Sequence, residues 1–213
     1  MQHVVIRIAA AMVFAVLAPS ASANLIGSGD FETCAIVALP GNGASNTNCG
    51  WTFANFAGVE SFGGGKVVRL ETNGAATLDS TAAYTVAGLT VGAQYTLAWD
   101  RAVRVNFSGA ANGPSFGVFL DTQSFASALF LLPTGTVNAG FIAESVNFVA
   151  SAASHTFIFA GELDGRSNGA GTTDVSHRLD NVSLLAVNAV PEPAALALVV
   201  GGLLAGLRRS PRR

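Results

Sequence analysis

Charge is scarce in this chain of 213 residues: Asp, Glu, Lys and Arg together make up 11%, and lysine occurs once, at position 66. Helix surfaces normally draw on Glu, Lys and Arg, so this scarcity, set beside abundant Gly, Ala, Ser, Thr and Asn, favours strands and turns. There are two cysteines, Cys34 and Cys49, and three histidines. No His-x-x-x-His or Cys-x-x-Cys pair occurs, which removes the common zinc arrangements. A long apolar run is also missing. The most apolar stretch, Ala194 to Leu207, has 14 residues. As a helix it rises only about 21 Å, short of the ~30 Å hydrocarbon core of a bilayer.

What surrounds that run is informative. Pro191-Glu192-Pro193 precedes it, and Arg208-Arg209-Ser210-Pro211-Arg212-Arg213 follows it. The positive-inside bias leaves the arginines cytoplasmic and places everything before the run across the membrane. Pro-Glu-Pro, a short apolar helix and a basic terminus resemble the tail of the PEP-CTERM proteins of Gram-negative bacteria. The resemblance implies a sorting signal over 190–213, with Pro191, Glu192, Pro193, Arg208 and Arg209 as its landmarks and an exosortase as its partner. The beginning agrees. A weakly basic start to Arg7, an apolar stretch Ile8 to Leu17 and Ala21-Ser22-Ala23 read as a signal peptide over 1–23, cut by signal peptidase between Ala23 and Asn24. The expected location is therefore exported: held transiently at the inner membrane by the tail, then cell surface or extracellular. Setting both ends aside leaves six basic and twelve acidic side chains. That negative balance argues against nucleic acid, which is held mainly by Lys and Arg on phosphates.

About 167 residues remain, a normal size for one domain, and the domain is placed at 24–189. Cys34 and Cys49 lie in an exported region and predict a disulfide across a loop crowded with Gly, Asn, Ser and Pro. From Lys66 onward, large residues alternate in short runs: Val68 and Leu70; Tyr84 and Val86; Tyr95, Leu97 and Trp99; Phe116, Val118 and Leu120; Val146 and Phe148; Phe157 and Phe159. Gly and Asn clusters separate them. Ala126 to Leu132 reads as a buried strand or a turn-rich helix, with strand favoured. Nine or ten short strands without helical patterns predict an all-β antiparallel sandwich of jelly-roll character.

Landmarks spread along the chain carry a second resemblance. Asn24-Leu25-Ile26-x-x-Gly29-x-Phe31-Glu32, Trp51, Tyr95-Thr96-Leu97 and Leu179-Asp180-Asn181-Val182-Ser183-Leu184 are similar to those of galactose-binding-like jelly rolls, including the family 4/9 carbohydrate-binding modules. In that family a structural calcium ties the first strand to the last. Carried over, Glu32 and Asp180 become its side-chain ligands, with backbone carbonyls completing a shell of 6 to 8 oxygens. The other reading is that both acids are capped by backbone amides. Gly29 reads as a turning point and Phe31 as a core anchor.

An active site is harder to assemble. Nucleophilic catalysis needs a base, and only His155, at the start of a strand, and His177, in a polar turn beside Arg178, survive processing. Acid pairs such as Asp100 and Asp121 exist, but spacing alone does not bring two strand carboxylates to glycosidase distance. The chain is read as no enzyme. A binding face is better motivated: opposite the apolar faces of two strands stand Asp100, Phe119 and Asp121, acids beside a ring that suit sugar hydroxyls and C–H faces. Trp51 is a second candidate platform, with core as the competing role for each ring, and Trp99 is assigned to the core. Two functions follow. One is a carbohydrate-binding domain for exopolysaccharide or cell-envelope glycan. The other is a structural matrix or surface protein that associates with itself.

Overall fold

The computed structural model describes residues 23–72, 78–105, 115–132, 140–162 and 175–187. The expected signal peptide over 1–23, but for Ala23, and the expected sorting signal over 190–213 lie outside them. Eleven strands run through the described residues: β1 (Ser45–Asn48), β2 (Trp51–Ala54), β3 (Ala57–Phe62), β4 (Gly65–Thr72), β5 (Ser80–Ala87), β6 (Gln94–Val105), β7 (Ser115–Leu120), β8 (Ala128–Leu132), β9 (Ile142–Val149), β10 (Ser154–Glu162) and β11 (Val175–Ala186). They form two antiparallel sheets, six-stranded β1-β2-β5-β10-β7-β8 and five-stranded β3-β4-β11-β6-β9. This is the all-β jelly-roll sandwich that the alternating runs predict. The ambiguous stretch after Phe125 divides into one turn of 3-10 helix, Phe125–Ser127, and then strand β8.

The inward rows are the predicted ones. Val68, Leu70, Leu97, Trp99, Phe116, Val118, Phe157 and Phe159 are buried between the sheets, each contributing about 1.5–3 kcal/mol by leaving water. Two tryptophans centre the core. Trp51 packs on Phe31 at 5.1 Å, Tyr84 at 5.0 Å and Phe159 at 6.0 Å. Trp99 meets Phe159 at 5.8 Å and Phe130 at 5.2 Å. One charged pair enters this layer. Arg101, 1% exposed, donates from Nε and Nη2 to the two Glu144 oxygens at 3.2 and 3.0 Å, while Trp99 Nε1 donates to the same carboxylate at 3.1 Å. Three donors on one carboxylate are what makes a buried charge tolerable.

A strap made of residues 24–34 closes the open side of β11. Asn24 Oδ1 accepts from the Leu184 amide at 2.9 Å, Leu25 N donates to Leu184 O at 3.0 Å, and Val182 N donates to Gly29 O at 2.9 Å. Opposite Gly29, β11 bulges between Asp180 and Ser183. Gly29 lies in a turn as predicted, between Ser28 and Phe31, whose amide donates to Ser28 O at 3.2 Å. It has a second role: a Cβ there would sit 1.9 Å from Val182 O, so the close approach needs glycine. Ser28 and Phe31 flank it at φ 53° and 55°. The strap is fastened twice. Cys34 is bonded to Cys49, with Cα atoms 5.3 Å apart, as expected. Lys66, the lone lysine, donates from Nζ to the Glu32 and Cys34 carbonyls at 2.7 Å each.

Candidate binding face on the five-stranded sheet

The outer face of the five-stranded sheet collects side chains that alternate away from the core: Glu60 and Phe62 from β3, Arg69 and Glu71 from β4, and Arg178 from β11. Register brings them together, with Arg178 opposite Arg69 and Arg69 opposite Gly58. Glu60 resolves the arginine pairing by accepting from Arg178 Nε at 2.7 Å and from Arg69 Nη1 at 3.5 Å. Glu71 pairs with Arg69 Nη2. The chain of alternating charges fixes Arg178, whose guanidinium carbon lies 3.8 Å from the centre of the Phe62 ring. A planar guanidinium on a ring face is a favourable and orienting contact.

Phe62 also meets Phe141, edge to face, at 6.1 Å between ring centres. Phe62 ends β3 and Phe141 precedes β9, and these are opposite edges of the sheet. Five strands would put those edges about 19 Å apart. Meeting rings therefore mean that both side chains reach inward over the face and roof it from its two sides. Phe62 is 38% and Phe141 39% exposed. Among the aromatic side chains whose burial is described, no other is as exposed.

The residues predicted for a sugar platform fall elsewhere. Trp51 is fully buried at the centre of its aromatic cluster, so it cannot stack on a ligand. Phe119 does point away from the core cluster, but it too is fully buried. Gln123 Nε2 donates to Asp79 Oδ2 at 2.8 Å, which carries the segment after β7 back across the outer face from which Phe119 projects. The predicted trio is also split between sheets. Asp100 is on β6 of the five-stranded sheet, where it accepts from Asn181 Nδ2 at 2.8 Å, whereas Phe119 and Asp121 belong to β7 and the turn after it. Asp100 and Asp121 thus form no facing pair.

Asp121 is committed to structure. Its Oδ1 accepts from Thr156 N at 2.9 Å and its Oδ2 lies 2.7 Å from His155 Nδ1. His155 Nε2 accepts from the amides of Ser151 and Ala152 at 3.1 Å each. The proton therefore sits on Nδ1, and the Nε2 lone pair a general base would use is occupied. His155 is buried and ties a turn to the sheet. His177 is not in a polar turn as expected. It lies within β11, fully buried, with its ring 5.1 Å from Phe116, because the inward row of β11 begins there. One serine spacing of the Gly-x-Ser-x-Gly kind exists, Gly113 to Gly117. Ser115 there opens strand β7, whereas a nucleophile elbow requires a turn from strand into helix.

Where strap and bulge meet, acids gather. The Asp180 carboxyl is pushed up to about 6, chiefly by burial and further by the charges of Asp100, Glu32 and Asp30, against the lowering effect of its bond from the Asn181 amide. A hollow of about 280 Å³ adjoins, lined by Asn24, Ser28, Asp30, Asn181 and Ser183 among others. Mutually repelling acids at a partly buried carboxyl are chemistry that a hard cation settles. Among the described residues, no three His, Cys, Asp or Glu side chains stand together closely enough to hold a metal alone. Glu32 has Oε1 engaged by the Lys66 amide at 2.9 Å. A calcium ion here would need Asp180, the remaining reach of Glu32 and several backbone carbonyls.

No family model matches the chain, and no curated protein does. Among solved structures it is similar to one described as a "putative sugar binding protein" from Bacteroides thetaiotaomicron, at 9% identity and TM-score 0.50, covering 78% of this chain and all of the other. It is also similar to the CBM22-1 xylan-binding domain of a Paenibacillus barcinonensis protein, at 13% identity and TM-score 0.44, covering 81% of this chain and all of that domain. What the chain shares with the Bacteroides protein is the fold, a two-sheet antiparallel β-sandwich.

Proposed function

We propose that this protein is a non-catalytic carbohydrate-binding domain, exported through its signal peptide, sorted by an exosortase through its Pro191-Glu192-Pro193 tail, and directed at exopolysaccharide or cell-envelope glycan. The observation that carries the reading is the exposed Phe62–Phe141 pair, set on Arg178 over the outer face of the five-stranded sheet. Rings of this exposure stack on the C–H faces of sugars, while Glu60, Glu71, Arg69 and Arg178 supply acceptors and donors for hydroxyls. The Bacteroides protein of the same fold, described as a "putative sugar binding protein", is in keeping with that class. Because Arg69 and Arg178 are matched by Glu60 and Glu71, the face has no surplus positive charge among the described residues, and a neutral polysaccharide suits it better than a polyanion.

Calcium belongs to the same proposal as a structural ion, held by Asp180 and Glu32 with backbone carbonyls, fastening strap to bulge. The ion would supply positive charge where Asp30, Glu32, Asp100 and Asp180 repel. Affinity electrophoresis in gels containing the producer's own neutral exopolysaccharide tests the function. Retardation is expected, and Phe62→Ala should weaken it roughly tenfold, the value of one stacking contact near 1.4 kcal/mol. Absence of retardation across a broad glycan panel, together with concentration-dependent self-association, would favour the structural matrix protein instead.

A further inference from the structure

One end of the sandwich is poor in charge. Four of its segments, 23–29, 87–96, 145–153 and 183–187, contain no Asp, Glu, Lys or Arg, and the acid that stands beside them, Asp121 after β7, is bonded to the buried His155 at 2.7 Å. Five aliphatic side chains stand in water there: Leu25, Leu185 and Val187 at 38, 39 and 41% exposed, and Val149 and Val91 at 59 and 61%. They are neighbours. The bond from Leu25 N to Leu184 O sets Leu25 beside Leu185. Val187 N donates to Gln94 O at 2.9 Å, and Gln94 is paired with Val149 between β6 and β9. Gly92 N donates to Ala150 O at 2.8 Å, bringing the Val91 turn alongside.

This is also the end from which the chain leaves the domain. After Val187, six residues precede the apolar run that begins at Ala194. Even fully extended they span no more than about 25 Å. We infer that the aliphatic patch at this end is a lipid-contacting surface, which rests on the membrane while the tail holds the chain there. The inference rests on the reading of the tail as membrane-held. A surface brought that close to a bilayer gains by burying aliphatic groups at the headgroup boundary and loses by desolvating charges, and the strap, β6, β9 and β11 side of this end has the first and lacks the second, Asp121 standing on the six-stranded side. A second copy of the chain is the poorer occupant. Five such side chains offer on the order of a few hundred Å², ordinary for the largest patch of a monomer and short of the ~800 Å² per partner of a stable interface.

The test uses the full chain reconstituted in vesicles of phosphatidylcholine and phosphatidylglycerol, with an environment-sensitive dye attached through Val149→Cys or, at the opposite end of β5, through Leu78→Cys. The dye at 149 should shift to the blue and be quenched by a lipid-borne quencher, while the dye at 78 should report water. Leu185→Asp should remove the shift at 149 without releasing the chain from vesicles. Equal emission from the two dyes would overturn the inference. So would a shift at 149 that appears only as protein density rises, which is contact between copies. Failure of the chain to float with vesicles would remove the tail reading on which the inference stands.

Discussion

The outer faces of the two sheets are built from the same alternation and end up chemically unlike. On the six-stranded sheet the outward row mixes hydroxyls, as where Thr85 and Thr156 share a bond of 2.8 Å, with the aliphatic Ile158 and Leu131, and its ring, Phe119, is covered. On the five-stranded sheet the outward row carries two arginines, two glutamates and a pair of exposed phenylalanines from opposite edges. Alternation decides which way a side chain points. Whether that side is open to a ligand is decided by what the following loop does, and only the second face keeps its rings accessible.

The comparison is tested most severely by truncating rings in the two environments. Trp51→Ala should cost about 3–5 kcal/mol in urea unfolding, because Phe31, Tyr84 and Phe159 all lose their partner. A cost below about 1 kcal/mol would mean that Trp51 is not core. Glu144→Ala should cost a similar ~3–5 kcal/mol, since it removes the carboxylate that takes bonds from the buried Arg101 guanidinium and the Trp99 indole N–H. Reduction of Cys34–Cys49, which closes a loop of 15 residues, should cost about 3 kcal/mol. Alkylation of both thiols without reductant would contradict the bond.

Asp180 offers a smaller and directional effect. Its carboxyl is raised to about 6 in the folded chain against the ordinary 3.8, so the folded state holds a proton that the unfolded state has released between those values. In chelator, the contribution of this group to stability is greatest below about pH 4 and falls as pH rises to about 6. Asp180→Asn should therefore raise the melting temperature at neutral pH in chelator and flatten that slope. Added calcium should stabilise the wild type and leave the variant unchanged. An unchanged wild type would remove the metal and leave the carboxyl capped only by the Asn181 amide.

Much of the fold was legible because strand alternation reports directly on burial. Val68 and Leu70, Leu97 and Trp99, and Phe157 and Phe159 all face inward as the pattern requires. The cysteine pair was legible from its short loop and the expectation of export. The binding face was not, for a physical reason. Phe62 and Phe141 lie 79 positions apart, each beside glycines at the end of an edge element, and only sheet order brings them together. Their flanking glycines, Gly63-Gly64-Gly65 and Gly140, were the available signal: a ring among glycines has few neighbours to bury it. Asp100, Phe119 and Asp121 misled because outward parity was read without knowing that β6 and β7 belong to different sheets.

The account turns on the claim that the exposed pair, and not the buried rings, meets the ligand. The direct measurement is the polysaccharide affinity and melting temperature of Phe62→Ala against Phe119→Ala. Phe62→Ala is predicted to lose about tenfold in affinity with the melting temperature nearly unchanged, and Phe119→Ala to lose stability by about 3–5 kcal/mol, as buried rings do. Undiminished affinity in folded Phe62→Ala, with weakened binding in a folded Phe119→Ala, would contradict it.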